Sequence, residues 1–536
     1  MISLRRTAQN ILIVGSSHIS VWAATFVFTV VQARYLDPSR FGQLALALAY
    51  AGFLLIFVDF GTSTLVSRTV AQRRDEQQSV IAATLLIRSV LWLVALPFLL
   101  VVSLVLGYDA DLVRAILVLA IATLFVSWGG AVTAYLLGRE EFLFPSLSMS
   151  AYRIVAAIVG IAILVLVPTP SLYLIACAFL VGAMVSAGLL FYALRGRTAI
   201  AWHIEPRRAV GLLKSALPIG AYLVVGTFYF NIDLVMLEGM APAENVGWYA
   251  AAYRLFNNAT LVEAIVVARV LYPVFSRMSL GPKEELHVVI AKAMSLLAIL
   301  GGAVVLLFVL CADNIVGILY TTDGYAPAAN ALRLLAPGLF FLYLNSVVCN
   351  ALFALGYEKR LLTMAAAFAV LNVSANLVAI PRFAQDGAAA VTTLTEVGLL
   401  VWLTSIAPRG LVSGEALRAV GKAALAAAIA GVVVVVSGAT ALLIVAGLAM
   451  LVYGAAIFGL GVIRPADLRA IAGLFGLGSG RSPDGDASAA EPQDGIGALG
   501  VADLRVVEDG TAGRVPDLDP QHVRDVLPEP IAVNRR

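Results

Sequence analysis

Ser89-Val-Leu-Trp-Leu-Val-Ala-Leu-Pro-Phe-Leu-Leu-Val-Val-Ser-Leu-Val-Leu106 runs for eighteen residues without a charged side chain. As a helix it is about 27 Å long, close to the roughly 30 Å of hydrocarbon in a bilayer. Transmembrane β-strands would be about ten residues of alternating polarity, and this stretch is too long and too uniformly apolar for that. Comparable runs recur from Ile11 to Leu460. The 536 residues are 61% hydrophobic and 13% charged, with a mean hydropathy of +0.94. Soluble domains carry about 25% charged residues. The composition therefore excludes the several soluble domains that the length alone would suggest.

The pattern predicts an all-α polytopic membrane protein of about 14 transmembrane helices. They fall near 11–33, 41–66, 80–106, 112–137, 147–167, 171–194, 214–238, 246–272, 286–311, 329–354, 360–380, 386–407, 418–437 and 440–460. Lysine and arginine segregate between alternate loops, about 20 on one side (Arg5, Arg68, Arg139, Arg208, Arg277, Lys359, Arg418 and their neighbours) against 5 on the other (Arg34, Arg40, Arg114, Arg333, Arg382). Positively charged loops stay in the cytoplasm, so the even count places both termini there. Arg5 and Arg6 precede an apolar run that is too long for a signal peptide and lacks a small-x-small cleavage site, so it reads as a retained first helix.

No inter-helix loop exceeds about 20 residues, which leaves no room for a soluble domain between spans. The longest is the basic linker beginning at Arg195. Residues 479–536 are rich in Gly, Ala, Asp and Pro and read as a disordered acidic cytoplasmic tail. From Arg481 the tail holds 11 acids and 6 arginines, a charge of −5, so the overall +3 leaves about +8 on the membrane part. A positive membrane part suits an anionic cargo, although cationic loops alone would also produce it. Cys177, Cys311 and Cys349 are far apart, and the four histidines do not cluster, so neither a disulfide framework nor a metal site is expected. No cofactor motif and no nucleic-acid-binding feature is present, and the absence of a Gly-Lys-Ser/Thr phosphate loop argues against ATP as the direct energy source.

An internal repeat is visible at an offset of six helices. Arg114 precedes Gly138 (Ala134-Tyr-Leu-Leu-Gly-Arg-Glu140) by 24 residues, and Arg333 precedes Gly356 (Ala351-Leu-Phe-Ala-Leu-Gly-Tyr-Glu358) by 23. Phe41-Gly42 and Val246-Gly247 each open an Ala-rich run that ends on tyrosine, at Tyr50 and Tyr253. An even offset preserves orientation, so the pattern predicts two parallel-repeat six-helix bundles. They would be 1–194 and 214–407, joined by the basic linker 195–213, with an extra two-helix hairpin at 418–460.

At these residues the chain resembles the polysaccharide (oligosaccharide) flippase family, the O-antigen flippase-like branch of the multidrug/oligosaccharidyl-lipid/polysaccharide exporter superfamily. The resemblance is carried by Ala33-Arg-Tyr-Leu-Asp-Pro-Ser-Arg-Phe-Gly42, Asp59-Phe-Gly61, Leu217-Pro218 with Ile232-Asp233, Val246-Gly-Trp-Tyr-Ala-Ala-Ala-Tyr253, and Asn372 to Pro381 followed by Asp386-Gly-Ala-Ala389. It spans about 2–460 and implies alternating access, 12 or 14 helices, and a polyprenyl-diphosphate-linked glycan as cargo, moved across a bacterial inner membrane. The rival reading is a cation-coupled multidrug or metabolite antiporter of the same superfamily, which would want an acid-lined cleft. A membrane enzyme would need a sizeable outer loop for its catalytic groups, and none exists. The acidic tail would serve either as a docking segment for polysaccharide-assembly proteins or as a solvated appendage.

Charges inside spans cost at least about 2.5–3.5 kcal/mol each on insertion scales. Tyr222, Gly226, Tyr229 and Asp233 share one helical face, and Arg254, Asn257 and Asn258 share another on the next helix. Asp233 and Arg254 are expected at a common depth, either as a gating ion pair or as a static salt bridge. Arg88 and Arg153 read either as cavity arginines that receive a diphosphate or as side chains snorkelling to the interface. Lys292 and Arg269 read as snorkelling residues. Arg34 and Arg333 either meet phosphates after translocation or anchor helix ends. Glu263 and Glu396 suit proton or cation exchange, or are buried acids hydrogen-bonded to a neighbour. Asp59 joins them as a gating or coupling candidate. Asn372 and Asn376 suit interhelical hydrogen bonding. Ser16, Ser17 and Ser20 read as cavity-lining or close-packing groups. The acidic pair Asp109-Ala-Asp111 has no nucleotide-sugar domain beside it and reads as a chance pairing.

Overall fold

The structure, a computed structural model, describes residues 4–72, 77–195, 197, 206–279, 281–320, 322–438 and 441–462. The tail 479–536, residues 196 and 198–205 of the basic linker, and the side chains of Tyr222 and Arg269 lie outside the described residues. The described residues contain no strand. In order the helices are α1 (Leu4–Tyr35), α2 (Pro38–Asp59), α3 (Thr62–Gln72), α4 (Gln77–Val105), α5 (Ala110–Gly138), α6 (Leu143–Leu166), α7 (Leu172–Leu194), α8 (Pro206–Met240), α9 (Ala243–Ala264), α10 (Tyr272–Met278), α11 (Lys283–Leu310), α12 (Ala312–Leu319), α13 (Thr322–Ala354), α14 (Glu358–Ile406), α15 (Gly414–Ser437) and α16 (Leu442–Gly459). A π-helical stretch, Ile265–Leu271, joins α9 to α10. The face on which α1 ends and α2 begins, expected to be the outer one, is termed the outer face.

Thirteen helical stretches are long and apolar enough to cross a bilayer. The longest, α14, has 49 residues and would measure about 74 Å if straight. It is not straight, because Ala384 has φ 47° and ψ −127°. Asn376 and Thr392 both reach the Asp233 carboxylate, at 2.8 and 3.1 Å, whereas a straight helix would hold them about 24 Å apart. The chain therefore doubles back at Ala384, and α14 is two antiparallel arms. Counted so, the crossings number fourteen, as the hydropathy predicts.

Local signals set the helix starts. Asp37 accepts from the Arg40 amide at 3.1 Å, with Pro38 in the first turn of α2, the arrangement that suits an N-terminus with unpaired amides. Asp109 caps α5 through the Leu112 amide at 2.7 Å. Asp111 accepts from the Leu172 amide at 2.8 Å, at the start of α7. Both members of the Asp109-Ala-Asp111 pair are thus engaged with helix N-termini. Short α12 fills the connection between the ninth and tenth spans.

Packing pairs recur six spans apart. Helix α1 lies on α6, and α8 on α14; α2 lies on α5, and α9 on α13; α4 lies on α5, and α11 on α13. The α15–α16 hairpin packs on α11, where Tyr453 donates to the Ile299 carbonyl at 2.9 Å. Helix α2 bridges the two sets by packing against both α8 and α9. Near the outer face it crosses α9 at Gly42 and Gly247, where a Cβ on Gly42 would lie 2.6 Å from the Gly247 nitrogen.

The second span breaks between α2 and α3, where Phe60 and Gly61 take φ 40° and 75°. Gly61 meets the Gly220 backbone of α8 there, at a distance that would put a Cβ 2.9 Å from the Gly220 nitrogen. The break is held by Arg88. Its guanidinium pairs with Asp59, donates from Nε to Thr62 at 3.1 Å and from Nη2 to Ser63 at 2.8 Å, and donates from Nη1 to the Ser127 carbonyl. With Arg88 only 1% exposed, both expected readings are corrected: it neither snorkels nor offers open donors to a cargo. An acid one span away and two hydroxyl oxygens at a helix break, Thr62 and Ser63, which themselves donate to Asp59, supply enough acceptors to draw it inward. Asp59, expected as a gating or coupling group, is its counter-ion.

Arg88→Met is expected to lower unfolding stability in nanodiscs by about 3 kcal/mol, near the low end for breaking a buried pair because Asp59 keeps some solvent access. Adding Asp59→Leu is expected to recover most of that loss, and a double variant as unstable as the single one contradicts the pairing. Ala384→Gly removes the Cβ from a left-handed conformation and is expected to raise stability by about 1 kcal/mol, seen as a higher thermal midpoint.

Candidate functional site

Two arginines stand where the two helix sets face one another. Arg254, on α9, is turned toward α1 and α2. Its Nη1 donates to Thr29 at 2.8 Å, and its guanidinium carbon lies 5.1 Å from the centre of the Phe41 ring. Arg153, on α6, lies over the Tyr152 ring at 5.0 Å and close enough to act electrostatically on Arg254. No carboxylate lies within ion-pair distance of either arginine among the described residues. Both side chains are half-buried, and the space between the helix sets around Arg254 is termed the gap. Two like charges at bilayer depth repel and are costly to desolvate. A multiply charged anion relieves both terms at once, and arginine matches phosphate oxygens with two parallel N–H donors.

The expected Asp233–Arg254 pair does not form. Asp233, on α8, is enclosed by Tyr249 at 2.9 Å, Thr392 at 3.1 Å and Asn376 at 2.8 Å. Arg254 follows Tyr249 by five residues, which places it about 140° around the helix. Tyr249, which meets Asp233, and Arg254 therefore leave α9 on different faces. Asn372 accepts from Asn376 at 3.0 Å, the interhelical and intrahelical bonding expected of that pair.

The other carboxylates also turn into the second helix set. Glu396 receives Tyr229 at 3.1 Å and Asn345 at 2.8 Å. Glu263 receives Ser346. Tyr229 therefore ties α8 to α14 and does not face the gap, contrary to its expected role at the cargo. Asn257 is exposed, Asn258 is half-buried, and neither side chain makes a hydrogen bond among the described residues, which leaves both available beside Arg254.

The remaining candidates sort by their partners. Arg34 donates to the Ile318 and Leu319 carbonyls at 2.5 and 3.2 Å, and Arg333 pairs with Asp313, so both anchor helix ends. Ser17 donates to the Ser146 carbonyl at 2.9 Å and joins α1 to α6. Ser16 and Ser20 bond to their own helix at 3.1 and 2.9 Å. Lys292 is exposed. Among the described residues no three His, Cys, Asp or Glu side chains gather closely enough to hold a metal ion. Sequence reasoning passed over Thr29, Gln32, Tyr249 and Asn345; their only signal was a polar side chain in an otherwise apolar helix.

The structure superposes on a solved structure of the lipid II flippase MurJ in an inward closed conformation, with a TM-score of 0.70 at 15% identity, covering 85% of this chain and 100% of that one. A multidrug resistance MATE family transporter of the MOP superfamily, in an inward-facing conformation, gives 0.59 at 14% identity over 72% of this chain and 94% of that one. These likenesses are of fold. In sequence, the chain is 23% identical over 406 residues to the "Putative O-antigen transporter" of Escherichia coli (strain K12), covering 74% of this chain and 94% of that protein. A family model described as "Polysaccharide biosynthesis protein" matches residues 7–279. This multi-pass membrane chain belongs to the polysaccharide biosynthesis protein family of membrane transporters.

Proposed function

We propose that the protein flips a polyprenyl-diphosphate-linked oligosaccharide from the inner to the outer leaflet of a bacterial inner membrane. The observation that carries this reading is the Arg153–Arg254 pair, two cations near enough to repel, with no carboxylate within ion-pair distance of either among the described residues. The diphosphate would sit between these guanidiniums, with Asn257 and Asn258 beside it for the sugar, while the polyprenyl chain stays among the membrane lipids. Packing that recurs six spans apart supports two six-helix bundles, 1–194 and 214–407, that rock about α2 in alternating access. Cargo drives such rocking only through different affinities for the two states. Both termini would be cytoplasmic, and the tail 479–536 would be free to meet assembly proteins there.

An antiporter of cationic drugs is disfavoured by the acids near Arg254, since Asp233, Glu263 and Glu396 bond within the second helix set; Glu238, near the end of α8, is the acid that neighbours Tyr50 and Tyr108 of the first set. For energy coupling, Glu263 and Glu396 are the better candidates, since neither has a cationic partner among the described residues. Asp59 is already paired with Arg88.

Depletion of the protein is expected to leave a lipid-linked saccharide accumulating on the inner leaflet, and normal surface polymer without such accumulation would end this reading. Arg153→Ala and Arg254→Ala are each expected to slow translocation at least about tenfold, the worth of one charge-assisted hydrogen bond, while membrane insertion stays intact. Arg254→Lys keeps the charge but not the planar fork, and is expected to fall between Arg254→Ala and the parent. Unchanged translocation in all of these variants would remove the cationic site.

A further inference from the structure

Arg254 reaches across from one helix set and is gripped by the other. Its Nη1 donates to Thr29 at 2.8 Å and toward the Gln32 carbonyl oxygen at 3.5 Å, both on the last turns of α1. The same strip of chain supplies the other ties at the outer face. Arg34 holds the carbonyls at the end of α12, and Tyr325 donates to the Leu36 carbonyl at 3.1 Å. Residues 29–36 are thus a strap that fastens α1 to α9, α12 and α13.

Within this strap the Arg254 tie has the wrong strength for a permanent fastening. Its acceptors are a hydroxyl and an amide, both neutral, although the donor is a full charge beside a second one at Arg153. Gln32 is also left incomplete. Its side chain is 1% exposed, and its Nε2 has no hydrogen-bond partner. A buried donor without an acceptor is destabilising. The position of this one, on a residue already touching Arg254, means that one anionic oxygen placed there would satisfy both groups.

We propose that Thr29 and Gln32 hold Arg254 only while the gap is empty, and surrender it to the diphosphate of arriving cargo. This rests on the reading that a diphosphate binds at Arg254. Charge-assisted bonds to phosphate are roughly twice as strong as those to neutral acceptors, so the anion wins the guanidinium. Gln32 then turns its unspent N–H to a phosphate oxygen. The exchange unties α1 from α9 and weakens the strap, leaving the Arg34 and Tyr325 ties to hold the outer ends alone, so that loading the site favours opening of the exit. Thr29 and Gln32 are positioning residues on this account: they act on the gate through Arg254. By linkage, any change that loosens the tie must also tighten diphosphate binding.

The test uses the full chain in nanodiscs, with Cys177, Cys311 and Cys349 replaced and spin labels at the exposed positions Tyr35 and Ile318. Farnesyl diphosphate is the probe and farnesol the control. In the parent, farnesyl diphosphate is expected to lengthen the label separation, and farnesol is not. Thr29→Val removes the strong acceptor at nearly constant shape. It is expected to show the longer separation before ligand is added and to bind farnesyl diphosphate about tenfold more tightly. Gln32→Glu gives Arg254 a carboxylate and is expected to keep the separation short even with the probe present. Opposite shifts from the two variants distinguish a latch from general loosening, which would move both the same way. If Gln32→Glu fails to insert, the Thr29→Val comparison alone decides. Farnesyl diphosphate that binds the parent without changing the separation overturns the latch and leaves the anion site standing. Failure of the parent to bind the probe overturns both.

Discussion

Water is absent at bilayer depth, so every ionised side chain there must find its compensation inside the protein. That constraint orders the whole molecule. Asp59 and Arg88 compensate one another at the break between α2 and α3. Asp233, Glu263 and Glu396 are surrounded by hydroxyl and amide donors inside the second helix set. Arg153 and Arg254 are the exceptions, since neither has a carboxylate within ion-pair distance among the described residues. Asp233, Glu263 and Glu396 bond instead within the second helix set, which leaves the surroundings of Arg254 cationic and suited to an anionic occupant.

Most of the fold was legible because hydropathy and bilayer thickness act on the same length scale. The fourteen runs coincide with the crossings, and even the doubled α14 was anticipated as two spans because Pro381, Arg382 and Asp386 interrupt it. The means of reversal was not visible. Nothing in Phe383-Ala384-Gln385 announces a left-handed residue, since alanine takes that conformation only when packing on both sides demands it. Short α12 and the π-helical stretch after Ala264 were likewise hidden, because neither changes the hydropathy of its segment.

The site was legible in residue type and poorly legible in direction. Intramembrane charge marked Arg153 and Arg254, which the structure leaves without a carboxylate partner among the described residues. Spacing along α8 and α9 gave depth, but two helices can share depth and still aim their side chains apart. The contact that sends Asp233 away from Arg254 comes from Thr392 and Asn376, some 140–160 residues further on, and no local pattern carries that information. Arg88 erred in the same way. Its acid is only one span back, but a partner hidden behind a helix break is not evident until the break at Phe60 and Gly61 is seen.

Helix α2 explains how a charged gap and a closed outer face coexist in one structure. It approaches the second helix set most closely at two places, Gly42 on Gly247 and Gly61 on Gly220, about 28 Å apart along a helix. Between them Phe53 packs on Phe228, with ring centres 4.8 Å apart. Glycine at both ends lets the backbones come close, where larger side chains would lock ridges into grooves. The Asp59–Arg88 pair keeps the lower contact in place by holding the break that presents Gly61. The upper contact lies beside the strap of residues 29–36, whose bonds are polar and exchangeable. Close glycine contacts along α2 and a set of breakable polar ties at one end of it are two parts that rocking between helix sets would use.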